Sequence, residues 1–233
     1  MDFLQTSKLL PLLIFAILIA LAVLYFVVAV ILDKRRESRR QAALARVAAE
    51  LGMSFTPEDD ALVNQFGGFA FYPHGDWKRA TSVMRGTIRG WPVVLFDYHV
   101  TLGSHNNRTP VHLTVAAFDL ASKPLPVFEA QGGRQNRVTR LLDKVLAEKV
   151  IDFPDDPDFR RGFLVVGDDA QAVRRLLGSH ARSFLTQRTE WMFRSNGRWL
   201  LMCRLNKRPK TSDYRAFVEE ASQGMLVMTG VRV

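Results

Sequence analysis

Cysteine is almost absent from this chain of 233 residues, and the single one, Cys203, rules out an intrachain disulfide and suits a reducing compartment. Phosphate-cradling loops are missing as well. Neither Gly67-Gly68 nor Gly132-Gly133 belongs to a G-x-G-x-x-G or is followed by Gly-Lys-Ser/Thr. Four carboxylates crowd around two prolines in Asp152-Phe153-Pro154-Asp155-Asp156-Pro157-Asp158-Phe159, but the alternating order and turn glycine of a calcium loop are lacking. A proline-fixed turn is the reading that remains. No internal repeat and no low-complexity linker breaks the chain. The net charge is +9, yet neither an aromatic-interleaved basic surface nor a nucleic-acid motif accompanies it, so no nucleic-acid partner is expected.

The absence that organises everything else is one of charge. Leu9 to Leu32 reads LLPLLIFAILIALAVLYFVVAVIL, 24 residues of which 18 are Leu, Ile, Val or Phe. At about 1.5 Å per residue such a helix is roughly 36 Å long, enough to cross a hydrocarbon layer of about 30 Å with some tilt. Its apolar side chains favour insertion by several kcal/mol, on the order of 0.3–0.6 each near the centre. Pro11 falls in the first turn, where its missing N–H costs little. A cleaved signal peptide would have an apolar region of about 7–15 residues and a small-x-small exit. Here the run is longer and leaves through Val30-Ile31-Leu32-Asp33.

The flanks orient the span. Lys8 is the only basic side chain before it, whereas Lys34, Arg35, Arg36, Arg39 and Arg40 follow it, so the positive-inside rule places residues 33–233 in the cytoplasm. The expected arrangement is a short extracytoplasmic tail (1–8), a transmembrane helix (9–32), a basic juxtamembrane stalk helix (33–52), a β-rich first lobe (53–150) and an α+β second lobe (151–233). Residues 33–46 carry a net +4, nearly half the total excess, on fourteen residues beside the bilayer. These charges either fix topology alone or also contact acidic lipid headgroups, where each is worth on the order of 1 kcal/mol.

Past the span, Leu44, Val47, Ala48 and Leu51 recur at helical spacing and predict that the stalk ends at Gly52. Thr56-Pro57-Glu58-Asp59 has the form of a helix start, with a short helix to Phe66. Val83–Arg89, Pro92–Leu102, Pro110–Leu120 and Leu125–Ala130 read as strands. Pairing Leu102 with Thr109 sets Val94, Phe96, Tyr98 and Val100 against Ala117, Val115, Leu113 and Val111, which makes one face wholly apolar. The other face then sets Leu95, Asp97, His99 and Thr101 against Ala116, Thr114, His112 and Pro110.

That register makes neighbours of His99 and His112, with Asp97 and Thr114 one step along. Two imidazoles and a carboxylate are the candidate catalytic or zinc-binding group of this sequence. No motif supplies a third ligand or the supporting shell, so no metal or cofactor is expected, and polar pairs on a half-exposed sheet face are the alternative.

The pattern Arg85-Gly86-x-x-x-Gly90-x-Pro92-Val93-x-Leu95-Phe96-Asp97-Tyr98-x-x-Thr101-x-Gly103, then Thr114-Val115-Ala116-x-Phe118 and Ile151-Asp152-Phe153, resembles a family of uncharacterised bacterial single-pass membrane proteins. The resemblance spans roughly residues 48–205. It implies an N-terminal anchor and a cytoplasmic α+β domain, and brings no activity, cofactor or catalytic residue.

Gln135–Lys149 has helical periodicity, with Arg137, Arg140 and Lys144 as a basic stripe. The second lobe reads as a strand at 162–166, helices over 169–177 and 179–187, and a hairpin of 189–194 with 198–205 around Asn196-Gly197. Cys203 shares a face with Trp199, Leu201 and Leu205 and is expected to be buried. A last helix runs from Ser212 to about Met225. The fold class is therefore α+β, an N-terminal transmembrane helix followed by antiparallel β-sheet with packed helices, reminiscent of lipid-binding barrels closed by a C-terminal helix. Two functions from different classes fit. One is a non-enzymatic binding or scaffolding module at the inner face of a bacterial membrane, with acidic lipid or a protein as partner. The other is a membrane-proximal enzyme using Asp97, His99 and His112. The orientation has a direct check: a green fluorescent protein fused after Val233 should fluoresce in cells, and protease added outside sealed cells should leave residues 33–233 intact.

Overall fold

The structure, a computed structural model, describes residues 3–66, 75–103, 108–133, 149–205 and 207–231. Gly67-Gly68 and nearly all of the helix expected at 135–149, with Arg137, Arg140 and Lys144, lie outside these residues. The chain divides into two compact units, residues 1–44 and residues 45–233.

One uninterrupted helix, α1 (Phe3–Glu50), takes in both the expected span and the expected stalk. No glycine or proline follows Pro11 before Gly52, so nothing breaks the backbone ladder where the apolar run gives way to charge. Phe15, Ile17, Leu18, Leu24 and Phe26 are among its large apolar side chains left exposed. Among the described residues it is the one helix long and apolar enough to cross a membrane. Its end is as the sequence indicates: Gly52 adopts φ +68°, and Met53 N–H closes back on Ala48 O at 2.8 Å.

In residues 45–233 the strands are β1 (Ser54–Glu58), β2 (Asp76–Ile88), β3 (Trp91–Leu102), β4 (Thr109–Asp119), β5 (Val127–Gly132), β6 (Phe163–Gly167), β7 (Trp191–Asn196) and β8 (Trp199–Arg204). All pair antiparallel in one sheet of order β1-β2-β3-β4-β8-β7-β5-β6. The helices are α2 (Ala61–Phe66), α3 (Pro157–Gly162), α4 (Ala170–Leu176), α5 (Ser179–Thr186) and α6 (Tyr214–Thr229).

Four expectations change. The lobes 53–150 and 151–233 are not separate sheets, because β8 and β7 insert between β4 and β5 and join both halves in one ladder. The order leaves β1 and β6 at opposite ends, so the described strands form an open sheet and no closed barrel. Thr56-Pro57 does not start a helix: Ser54–Glu58 pairs with β2, an edge position that tolerates a proline without an N–H. The cap passes to Asp59, whose Oδ1 accepts from Ala61 N–H at 3.0 Å.

The central register is the one derived from sequence, with Leu102 opposite Thr109 and His99 opposite His112. Its apolar face, with Met192, Leu201 and Cys203, packs under Leu62 and Phe66 of α2. A six-residue helix is not stable alone. Burying Leu62 and Phe66, at about 1.5–3 kcal/mol each, holds it down, and Phe66 stacks on Phe96 at 5.8 Å. Burial pushes the Cys203 thiol well above its ordinary value, as for a small hydrophobe.

The second face is covered too, contrary to the half-exposed face expected. Leu95, Ala116, Leu200 and Met202 are fully buried there, Phe217 of α6 stacks on Trp191 at 5.3 Å, and Gly224 lies against Met202 and Phe193. A tight turn at Arg89 (φ 51°) and Gly90 (φ 82°) joins β2 to β3. Arg89 Nη2 then reaches Glu219 of α6 at 2.6 Å.

Among the described glycines the closest approach to backbone is at Gly132, where a Cβ would stand 2.1 Å from the carbonyl oxygen of Thr189. Gly132→Ala should therefore lower stability by about 1–3 kcal/mol in denaturant titration. Gly162→Ala, which meets only the Thr189 methyl at 3.4 Å, should be neutral or slightly stabilising.

Candidate functional site on the β2–β3–β4 face

Strand β2 carries two irregularities in its pairing with β3, one between Asp76 and Arg79 and one between Thr81 and Met84. Trp77 (φ 51°) and Ser82 (φ 52°) sit in them with left-handed backbones that cost of order 1 kcal/mol or more apiece. The two kinks bracket Arg79, Ala80 and Thr81. As a result Arg79 stands opposite His99, and Thr81 opposite Asp97. Continuing into β4, His99 faces His112 and Asp97 faces Thr114.

Two polar rows therefore cross three strands. In the inner row the Asp97 carboxylate is 1% exposed. Thr114 Oγ1 donates to its Oδ1 at 2.5 Å, while Arg208 Nε and Nη2 donate to Oδ2 at 3.0 and 2.9 Å. Beside it Arg204 donates to Glu220 Oε2 at 2.6 Å and lies 5.3 Å from the Trp191 ring. In the outer row His99 and His112 bring their Nδ1 atoms to 2.6 Å, with ring centroids 4.8 Å apart. His99 Nε2 is 2.9 Å from Thr81 Oγ1. Arg79 is held by Glu58 across β1, its Nε donating at 2.8 Å.

The chemistry of the inner row is that of a staple. Both Asp97 oxygens already accept charge-assisted or hydroxyl hydrogen bonds, and a general base needs a lone pair it can offer to substrate. The three candidates named from sequence thus lie on one face but divide into two groups: Asp97 joins Thr114 and Arg208, and the histidines join each other and Thr81. Sequence reasoning missed Arg208 and Thr81. Arg208 lies in the run Lys207–Lys210, which carries no local sign of a distant carboxylate. Thr81 falls before Val83, the residue at which the sequence pattern starts its first strand.

The other candidate residues are elsewhere. Lys34, Arg35, Arg36 and Arg39 are exposed on α1 and Arg40 is half-buried. At about 100° per residue, Arg35, Arg36, Arg39 and Arg40 fall within roughly 140° of the helix circumference. The carboxylates of 152–158 serve structure: Asp156 caps α3 by accepting from Phe159 N–H at 3.1 Å, and Asp155 and Asp156 both bind Arg182. The Phe159 N–H and then Arg182 hold the Asp156 carboxyl below its ordinary value. Between α2 and the sheet, Leu62, Phe66, Phe96, Tyr98 and Leu201 line an apolar cavity of about 10 Å³, no larger than a water.

The class defined by this geometry is an α+β module of one open antiparallel sheet, with helices on both faces, in a chain that also holds a long apolar helix. No protein-family model and no curated protein matches the sequence. Among solved structures, the crystal structure of the mycobacterial trehalose monomycolate transport factor A, TtfA, is similar, with a TM-score of 0.53 over 84% of this chain and 94% of that one. The two sequences are 16% identical, so the likeness is one of fold.

Removing the carboxylate of the inner row leaves a guanidinium and a hydroxyl without their partner inside the protein. Asp97→Ala should cost about 3–5 kcal/mol in urea unfolding, and Asp97→Asn less, since the amide oxygen still accepts from Thr114.

Proposed function

We propose that this protein is a membrane-anchored binding or scaffolding module, held by α1 at the inner face of a bacterial membrane with residues 33–233 in the cytoplasm. The observation that carries the reading is the exposed apolar stretch of α1, continuous with the helix that leads into the folded unit. An isolated helix of this kind has no soluble partner for its side chains, and lipid satisfies them.

Arg35, Arg36, Arg39 and Arg40, on one side of α1, engage acidic headgroups at the cytoplasmic leaflet, with Lys34 beside them. The folded unit recruits a protein partner. Likeness in fold to the mycobacterial transport factor supports a narrower form, in which the recruited partner belongs to a transport machinery of that membrane. The enzyme reading has less support, because Asp97 is committed to Arg208 and Thr114.

Two measurements test this. The full chain should stay with membranes through alkaline carbonate extraction, and a chain lacking residues 9–32 should not. A chain lacking residues 1–32 should bind vesicles rich in acidic lipid, and Gln at positions 35, 36, 39 and 40 should weaken that binding on the order of tenfold or more at low salt. Extraction of the full chain as a soluble protein would remove the anchor, and unchanged vesicle binding would remove the headgroup contact.

A further inference from the structure

We propose that His99 and His112 form an exchangeable binding site for a divalent transition metal of the copper, nickel and zinc class, a site independent of the membrane reading above. The argument starts from the register. Directly opposed residues on antiparallel strands project side by side from one face, and here two imidazoles occupy such a pair. Their Nδ1 atoms face each other at 2.6 Å, so whichever tautomer holds, one proton lies between two nitrogen lone pairs. A metal ion takes the place of that proton.

A metal held at about 2.1 Å by each nitrogen needs the pair roughly 3.2 Å apart, an opening of roughly 0.6 Å from the present contact. His112 is exposed and can rotate to give it, whereas His99 is half-buried and fixed. What fixes His99 is the Thr81 hydroxyl at 2.9 Å from Nε2. This is the arrangement a ligating histidine ordinarily has, with the far ring nitrogen hydrogen-bonded so that the near one is aimed. Two N–metal bonds form, and the shared proton moves through solvent to Nε2 of its own ring. Each ring then coordinates through Nδ1 and keeps an Nε2–H, which on His99 is the donor to Thr81.

The surrounding charges do not oppose a cation. Arg79, opposite His99, is paired with Glu58, and Arg208 with Asp97, so these two guanidinium groups of the same face are each neutralised by a carboxylate. Among the described residues no cluster of three or more His, Cys, Asp or Glu stands ready to hold a metal. The two imidazoles are the ligands proposed, and a site of two protein ligands exchanges its metal instead of trapping it. Imidazole nitrogen favours this class of ion, and copper(II) binds most tightly within it.

The test is a titration of the full chain in detergent with Cu²⁺ alone, followed by electron paramagnetic resonance. One equivalent should bind with two imidazole nitrogens in the equatorial plane. His112→Gln and His99→Gln should abolish that signal, and Thr81→Val should weaken binding on the order of 10- to 100-fold. His180→Gln, on α5, should bind like the parent. Zn²⁺ should raise the thermal midpoint of the parent and not that of His112→Gln, whose metal-free midpoint should match the parent because the ring is exposed. Copper binding by His112→Gln equal to the parent, or the absence of a bound equivalent in the parent, would overturn the proposal.

Discussion

The antiparallel register of β3 against β4 is the constraint on which the rest of the folded unit depends. A strand's side chains alternate with period two, so a slip by one residue would carry Val94, Phe96, Tyr98 and Val100 to the opposite face together with their partners on β4. The apolar face would then lose the bed for Leu62 and Phe66, and Asp97 would be driven into the core away from Arg208. Each misplacement costs several kcal/mol, a large part of the whole stability of a domain of this size. Two features beyond the strands pin the register. The Arg89–Gly90 turn fixes where β3 begins, and the kinks in β2 fix which of its residues meet His99 and Asp97.

Helix α6 follows from the same constraint. The face it covers is not uniformly apolar, and the polar residues along its edge are matched one by one. Arg89 reaches Glu219, Arg204 reaches Glu220, and Arg208, just upstream of the helix, reaches Asp97. Arg215 is paired in the same way with Glu50 at the end of α1. Ion pairs of this kind add little net stability when exposed, and when buried they roughly offset their own desolvation. Their contribution here is specificity of place, because α6 in any other position would strand charges against a buried sheet. The Asp119 carboxylate works alike at the β4–β8 junction: both its oxygens bind Arg198, and that hydrogen bonding holds it below its ordinary value.

In the functional reading the two units have separate tasks. The apolar helix asks for lipid, and its charge-free length and basic exit decide where a partner could be met. The sheet unit presents a face on which Arg79 is matched by Glu58 and Arg208 by Asp97, and on which the paired imidazoles of His99 and His112 lie beside Thr81. Likeness to the transport factor extends over most of both chains but is a likeness of backbone. At 16% identity, side-chain chemistry such as the histidine pair has to be argued from this chain alone.

Much of this was written locally. The long apolar helix, the Gly52 stop, the Asn196-Gly197 hairpin, the antiparallel α+β class and the pairing of His99 with His112 all follow from periodicity and turn residues, which depend on neighbours a few positions away. Tertiary structure alone decided the rest. Pro57 became part of an edge strand because β2 offered it a partner, the two expected lobes merged because β7 and β8 found β5 and β4, and Asp97 became a staple because an arginine 111 residues later came to lie over it. Hydrophobic period specifies which face of an element is buried, and nothing in it specifies which distant residue does the burying.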